Sequence, residues 1–158
     1  MEAAPEADRK WIGMWDASTQ RWTAAYGGNV TFDDATRQLI DGRNFATLAT
    51  LNPDGSPQTS VIWVGLDGDA VVFSSTTGRR KIRNIARDPR VSLTIFDLAD
   101  PYRTVEIRGT VELADDPDKE LPRRLSHKYV GEDPPPEPAG VARVIARLVP
   151  EKVIGFSA

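Results

Sequence analysis

Between Val72 and Ile85 the chain passes from a β-branched segment into the hydroxyls of Ser74, Ser75, Thr76 and Thr77. It turns at Gly78 and opens a helical pattern with Arg79, Arg80 and Lys81. A helix N-terminus already carries about half a positive charge and unpaired N–H groups, so cations there are disfavoured unless an anion joins them. A phosphate in the mouth of the turn would accept from the hydroxyls, the backbone amides and the cations together. The same residues also fit a solvated basic helix face. Arg79, Arg83 and Arg87 share one stripe, with Ile82, Ile85 and Ala86 on the core side. Spacing alone leaves both readings open. No Gly-Lys-Ser/Thr follows at Walker spacing and no GxGxxG is present, so neither nucleotide fingerprint applies.

The rest of the composition narrows the chemistry by exclusion. There is no cysteine, which removes disulfides, thiolate metal sites and a cysteine nucleophile, and fits a reducing cytoplasm. The single histidine, His127, rules out a histidine-rich metal site and falls in Leu121–Tyr129, which reads as an exposed helix where a solvated imidazole is expected. No acid, base or nucleophile stands out as catalytic. If the protein is an enzyme, the hard chemistry falls to an organic cofactor. The net charge of −3 argues against a general nucleic-acid binder, so the cations between Arg79 and Arg90 form a local patch suited to a small anionic ligand.

With 158 residues, 40% of them hydrophobic, the chain is long enough for one well-buried core. No run approaches the roughly 20 apolar residues of a membrane span. The start, Met1 to Asp8, is acidic and lacks an apolar h-region, so no secretory signal and a cytoplasmic location are expected.

These residues need elements to hold them. Residues 1–30 read as an extension whose Trp11, Trp15, Thr19, Trp22 and Tyr26 would form an aromatic stripe on a helix, and residues 31–158 as a single domain. Thr31 reads as the cap of a helix through Asp41 with Ala35, Leu39 and Ile40 inward. Phe45–Leu51 and Gln58–Leu66 form a hairpin around Asn52-Pro53-Asp54-Gly55, and Asp67-Gly68-Asp69 turns into the strand Ala70–Ser75. The basic helix ends before Pro89. Strands follow at Arg90–Phe96 and Arg103–Leu113, and the acidic stretch Glu112–Glu120 is expected to open a second helix. Glu132–Gly140 is a proline-rich loop, and two β segments, Val141–Val149 and Lys152–Phe156, bend at Pro150. The pattern is mainly β within α+β: a six-stranded antiparallel barrel with short helices.

That order of elements resembles the pyridoxamine 5′-phosphate oxidase-like split-barrel family of flavin- and deazaflavin-binding proteins. The resemblance covers about Thr31 to Phe156. It rests on Phe45–Leu51 with Asp54-Gly55-Ser56-Pro57, Val61-Ile62-Trp63, Phe73-Ser74-Ser75 through Arg80-Lys81, and Asp88-Pro89-Arg90-Val91-Ser92-Leu93. Asp100-Pro101-Tyr102-Arg103 followed by Val105–Gly109 is most similar to the actinobacterial branch that uses the deazaflavin coenzyme F420.

The resemblance implies that Ser74, Ser75, Arg80 and Lys81 hold the cofactor phosphate. It implies that Thr59, Ser60, Val61, Ile62 and Trp63 lie against the ring, with Asn84 pointing the same way. It further implies a homodimer whose second chain contributes Tyr102 and Arg103, and a small-molecule substrate without nucleic acid or membrane. The expected activity is F420-dependent hydride transfer to or from an unsaturated small molecule. An FMN-dependent oxidase or reductase, and a non-catalytic carrier of flavin, deazaflavin or haem, are the alternatives. The Trp- and Arg-bearing terminal segment of true pyridoxamine phosphate oxidases has no counterpart in Val153–Ala158, so vitamin B6 oxidation is not expected.

Overall fold

The computed structural model describes residues 14–16, 21–23 and 30–156. The aromatic extension departs from the helical expectation where it is described. Met14–Asp16 (β1) and Arg21–Thr23 (β2) are strands that pair antiparallel, Trp15 opposite Trp22. Tryptophan and threonine fit a pleated surface, and their spacing alone did not decide the period. Trp11, Thr19 and Tyr26 lie outside the described residues.

Helix α1, Asp34–Asp41, is capped by Asp33 rather than Thr31: its carboxylate accepts from the Thr36 amide at 2.8 Å. Hydrogen bonds from Thr36 hold the Asp33 carboxyl below its ordinary range. The cap shifts the inward face to Thr36, Leu39 and Ile40 and leaves Ala35 exposed.

The strands β3 (Ala46–Leu51), β4 (Pro57–Ile62), β5 (Gly65–Asp67), β6 (Ala70–Thr76), β7 (Arg90–Phe96), β8 (Thr104–Asp115) and β9 (Arg143–Phe156) form one antiparallel sheet in the order β4-β3-β7-β8-β9-β6-β5. The β3–β4 hairpin turns where Asn52-Pro53-Asp54-Gly55 places it. Gly55 adopts φ +83°, open to glycine without strain, and its amide donates to the Asn52 carbonyl at 2.9 Å.

Seven strands form this sheet instead of the expected six, and it is not closed. The stretch expected as one strand over Gln58–Leu66 breaks at Trp63-Val64: β4 pairs with β3 and β5 pairs with β6, at opposite edges of the sheet. Ile62 and Gly65 are only three steps apart in sequence, a span of at most about 11 Å. The edges must therefore curl toward each other there while remaining unpaired. That opening is the split of the barrel.

The last two β segments are one strand. Opposite Arg108 and Gly109 the register shifts: Arg108 pairs with Lys152 and Gly109 with Pro150, leaving Glu151 as the extra residue of a bulge. Pro150 has no N–H to give a ladder, so the bulge accommodates it.

Helix α2 spans Arg80–Arg87, and helix α3 spans Glu120–Val130. The acidic stretch does not open α3 as expected. Glu112 to Asp115 continue β8, because their ladder partners on β9, Arg147 to Val144, keep them extended. The helix begins where the buried Asp116 carboxylate accepts the amides of Glu120 and Leu121 at 3.0 and 3.1 Å.

The core lies inside the curled sheet under α1 and α2. Ile40, Leu48, Phe73, Leu93, Ile95 and Ile107 are fully buried in it, each side chain contributing about 1.5–3 kcal/mol through its burial. A smaller cluster, Val72, Leu121, Leu125 and Ile145, seats α3 on the outer face of β6 and β9.

Candidate functional site

The split holds a cleft of about 390 Å3. One wall is the end of β4 with Val61, Ile62 and Trp63; facing it is the end of β6 with Ser74, Ser75 and Thr76. Arg79 and Lys81 from the start of α2 line it, as do Pro122 and Leu125 from α3, Pro134 from the proline-rich loop and Arg143 from β9.

The β6 end is held by β9, Ser74 opposite Ile145, Ser75 opposite Val144 and Thr76 opposite Arg143. Beyond it the Arg79 amide donates to the Thr76 carbonyl at 3.2 Å, and Arg79 takes the cap position of α2 without a side-chain cap bond. The amides of Arg80 and Lys81, at the first helical positions, have no intrahelical acceptor. Ser74 Oγ is buried with no protein partner.

Lys81 is half-buried, and among the described residues its one polar contact is a long 3.4 Å donation to Ser60 Oγ. Burial first, and Arg79 second, pull its ammonium below the ordinary lysine range. Among the described residues Arg79, Arg80, Lys81 and Arg83 form no ion pair. An anion received here would meet an unsatisfied hydroxyl, open amides and a cation that the protein itself leaves uncompensated.

The loop that carries Pro134 is tied down. Arg143 Nε donates to Glu137 Oε1 at 2.8 Å, and Lys119 Nζ approaches Glu137 Oε2 at 3.0 Å. Arg143, then Lys119, holds the Glu137 carboxyl down at about 2. A lowered carboxylate contributes stability above its ordinary value, and that contribution disappears as pH falls toward the folded value. The melting-temperature difference between parent and Glu137→Gln should therefore be constant above about pH 4.5 and shrink as pH falls to about 2. A difference that does not change with pH would deny the ion pairs this role. Solvent screening keeps the effect modest.

The remaining residues singled out in the sequence fall in different places. Thr59 and Val61 are exposed on the open face of β4, whereas Ser60 and Ile62 turn inward. Arg80 is exposed beside the cleft but does not line it. Asn84 is fully buried and off the cleft; its amide donates to Thr50 Oγ1 at 3.0 Å and Asn52 Oδ1 at 3.1 Å, pinning α2 to the β3–β4 hairpin. Tyr102 is 69% exposed and Arg103 pairs with Asp97 at 2.9 Å, both away from the cleft of their own chain.

The arginine stripe is divided. Arg79 lines the cleft, Arg83 lines a second groove with Asp115 and Leu113, and the Arg87 guanidinium donates to the Leu51 carbonyl. Pro122, Leu125, Pro134 and Arg143 were not foreseen as lining residues. The one local signal was the turn at Gly140, which sends Arg143 back alongside Thr76. His127 is exposed on α3, its Nε2 2.6 Å from Asp133 Oδ1. Among the described residues no group of acidic or histidine side chains is placed to hold a metal ion, and no helix is long and apolar enough to cross a membrane.

This mainly antiparallel split barrel with short helices is the fold of the pyridoxamine 5′-phosphate oxidase-like proteins. The sequence model of the pyridoxamine 5′-phosphate oxidase family matches residues 32–156, and the chain belongs to that family. A pyridoxine/pyridoxamine 5′-phosphate oxidase of Kineococcus radiotolerans is 33% identical over 103 residues, 65% of this chain and 43% of the relative. That of Rhodopseudomonas palustris is 32% identical over 111 residues, covering 62% of this chain and 52% of the relative. The chain thus spans about half the length of the curated relatives it matches.

A solved structure named as an F420 reductase superposes with a TM-score of 0.70 at 34% identity, covering 78% of this chain and 98% of its own. A conserved hypothetical protein of Mycobacterium tuberculosis shares the fold at 21% identity with a TM-score of 0.66, over 85% of this chain and 90% of its own.

Proposed function

We propose that this chain is an F420-dependent oxidoreductase whose cleft between β4 and β6 takes the phosphate and ring of the deazaflavin, acting as a homodimer on an unsaturated small molecule. One observation carries the reading: the orphaned Ser74 hydroxyl, the uncompensated Lys81 and Arg79 surround the open N-terminus of α2. The residues fit a phosphate monoester or diester. The likeness to the F420 reductase, over nearly that protein's whole length, favours the deazaflavin.

When bound, the reduced deazaflavin supplies a hydride from C5. The chain's own part is positional. Ser74, Ser75, Thr76 and Lys81 bind the phosphate, and Val61, Ile62 and Trp63 flank the ring. Pro122, Leu125 and Pro134 exclude water from the opposite side. Among the described residues no carboxylate or imidazole lines the cleft, so the proton that completes a reduction enters from water on this reading.

FMN in the same cleft is the second reading, and the divided arginine stripe favours it. F420, unlike FMN, continues past the phosphate into a carboxylate-bearing oligoglutamate tail, and Arg83 in another groove and Arg87 on the hairpin are lost to it. The test is anaerobic mixing with reduced F420 and a panel of quinones and enones, followed by recovery of the oxidised deazaflavin absorbance. Turnover is expected with at least one acceptor. Binding without any turnover would make the protein a carrier.

The homodimer has its own support. Phe96 on β7 and Ile154 and Phe156 on β9 are exposed on either side of the start of β8, an apolar face that a second copy would cover. Light scattering should give about twice the 17.4 kDa chain mass. A monomer that binds cofactor at full affinity would contradict the shared site.

A further inference from the structure

The chain leaves β4 at Ile62 and enters β5 at Gly65, and between them Val64 is fully buried where neither ladder reaches it. Its backbone groups are satisfied instead by two neighbouring side chains of α3. Tyr129 Oη accepts from the Val64 amide at 3.1 Å and donates to the Asn44 carbonyl at 2.6 Å. Lys128 Nζ donates to the Val64 carbonyl at 2.6 Å and to the Ile40 carbonyl, at the end of α1, at 2.5 Å. A buried backbone group without a partner is costly, so the corner depends on these two residues.

The same tyrosine ring orders the side chain before the corner. Trp63 lies parallel to it, with centroids 5.1 Å apart and an interplanar angle of 6°, and Phe45 stacks with the same ring at 5.7 Å and 23°. Trp63 lines the cleft and remains 37% exposed, so its indole is the cleft-side member of an aromatic stack anchored on Tyr129. Placing Lys128 here has an electrostatic consequence. Burial pulls its ammonium down to about 8, opposed by Asp41 and assisted by Arg124.

We infer that Tyr129, which shares the Val64 backbone with Lys128, is the positioning residue for the ring end of the cleft: it holds the Trp63–Val64 corner and sets the indole as the wall on which a planar ligand ring stacks. The inference rests on the proposed reading that the cleft takes a phosphate-bearing ring. It places Tyr129 behind Trp63, acting through it.

Two readouts separate this inference from the reading beneath it. Near-UV circular dichroism of the cofactor-free protein reports the Trp63 environment, identified as the band lost in Trp63→Phe. Titration with FMN and with F420 reports the ring site. Tyr129→Phe keeps the stack but loses the hydroxyl's hydrogen bonds to the Val64 amide and the Asn44 carbonyl, so it should retain the band and bind about fivefold more weakly. Tyr129→Leu should lose the band and bind at least about tenfold more weakly, since stack and hydrogen bonds go together. Affinity for inorganic pyrophosphate, a probe of the phosphate end alone, should match the parent in both variants.

A Tyr129→Leu protein that keeps either the Trp63 band or the parent's affinity overturns the inference, as does a Tyr129→Phe protein no better than Tyr129→Leu. Loss of pyrophosphate affinity in parallel would also overturn it, by showing a general loss of structure. A parent that binds neither FMN nor F420 ends the functional reading and with it the ring wall, and the band then decides only that Tyr129 sets Trp63.

Discussion

Lys81→Ala is expected to weaken binding of F420 and of FMN by about 1.5–3 kcal/mol, roughly 10- to 150-fold, the range for hydrogen bonds to a charged group. The size follows from what Lys81 lacks without ligand. It is half-buried, its contact to Ser60 is long at 3.4 Å, and no carboxylate among the described residues pairs with it. Much of its favourable electrostatics is therefore available to an incoming anion. For the same reason the cofactor-free protein should melt within about 2 °C of the parent, because removing an uncompensated cation sacrifices little. Arg80→Ala should have a smaller effect, since Arg80 is exposed and does not line the cleft. Titration of both variants decides the matter. A Lys81→Ala protein that binds like the parent would remove the phosphate from this end of the cleft.

Gly109→Ala carries the largest expected effect on stability. A Cβ at Gly109 would lie 2.0 Å from the Val149 carbonyl oxygen and 3.0 Å from its carbon. Neither is the end of a flexible side chain. Relief requires β8 and β9 to separate at the Pro150 bulge, in the middle of the longest strand pair of the sheet. The cost should be about 2–3 kcal/mol, as for overpacked cores, which lowers the melting temperature by roughly 10 °C in a domain of this size. Gly155→Ala is the control: it lies in the same strand pair, and a Cβ there would have nothing within 4 Å, so little change is expected. Equal melting temperatures for the two variants would show that the close approach at Gly109 is not maintained in solution.

How far the chain could be read in advance depended on how local each signal was. The β3–β4 hairpin was legible because Asn52-Pro53-Asp54-Gly55 carries its own turn chemistry. The break at Trp63-Val64 was not: those residues read as uninterrupted strand, and what ends the strand there comes from Lys128 and Tyr129, 64 and 65 residues away from Val64. Acidic residues at Glu112 and Asp115 suggested a helix, but pairing with β9 outweighed local propensity and Asp116 fixed the true start.

The cleft followed the same rule. Ser74, Ser75, Thr76, Arg79 and Lys81 are close in sequence and meet at one end of the cleft. Arg143, Pro122, Leu125 and Pro134 join them only through the return of β9 and the docking of α3. Asn84 shared the helical face expected for a ligand; its side-chain NH2 is spent on Thr50 and Asn52 beneath the helix, and its buried Oδ1 has no partner among the described residues. Residue spacing places a side chain on a face of a helix. It does not say whether ligand or protein lies across from that face.

The central claim is that the cleft between β4 and β6 binds a phosphate-bearing tricyclic cofactor. It is tested most directly by titrating the purified protein with F420 and with FMN, following deazaflavin absorbance and flavin fluorescence, with and without inorganic pyrophosphate as competitor. Saturable binding to F420, tighter than to FMN and displaced by pyrophosphate, is expected. FMN binding tighter than F420 would move the assignment to the flavin, while binding of neither cofactor would contradict the account.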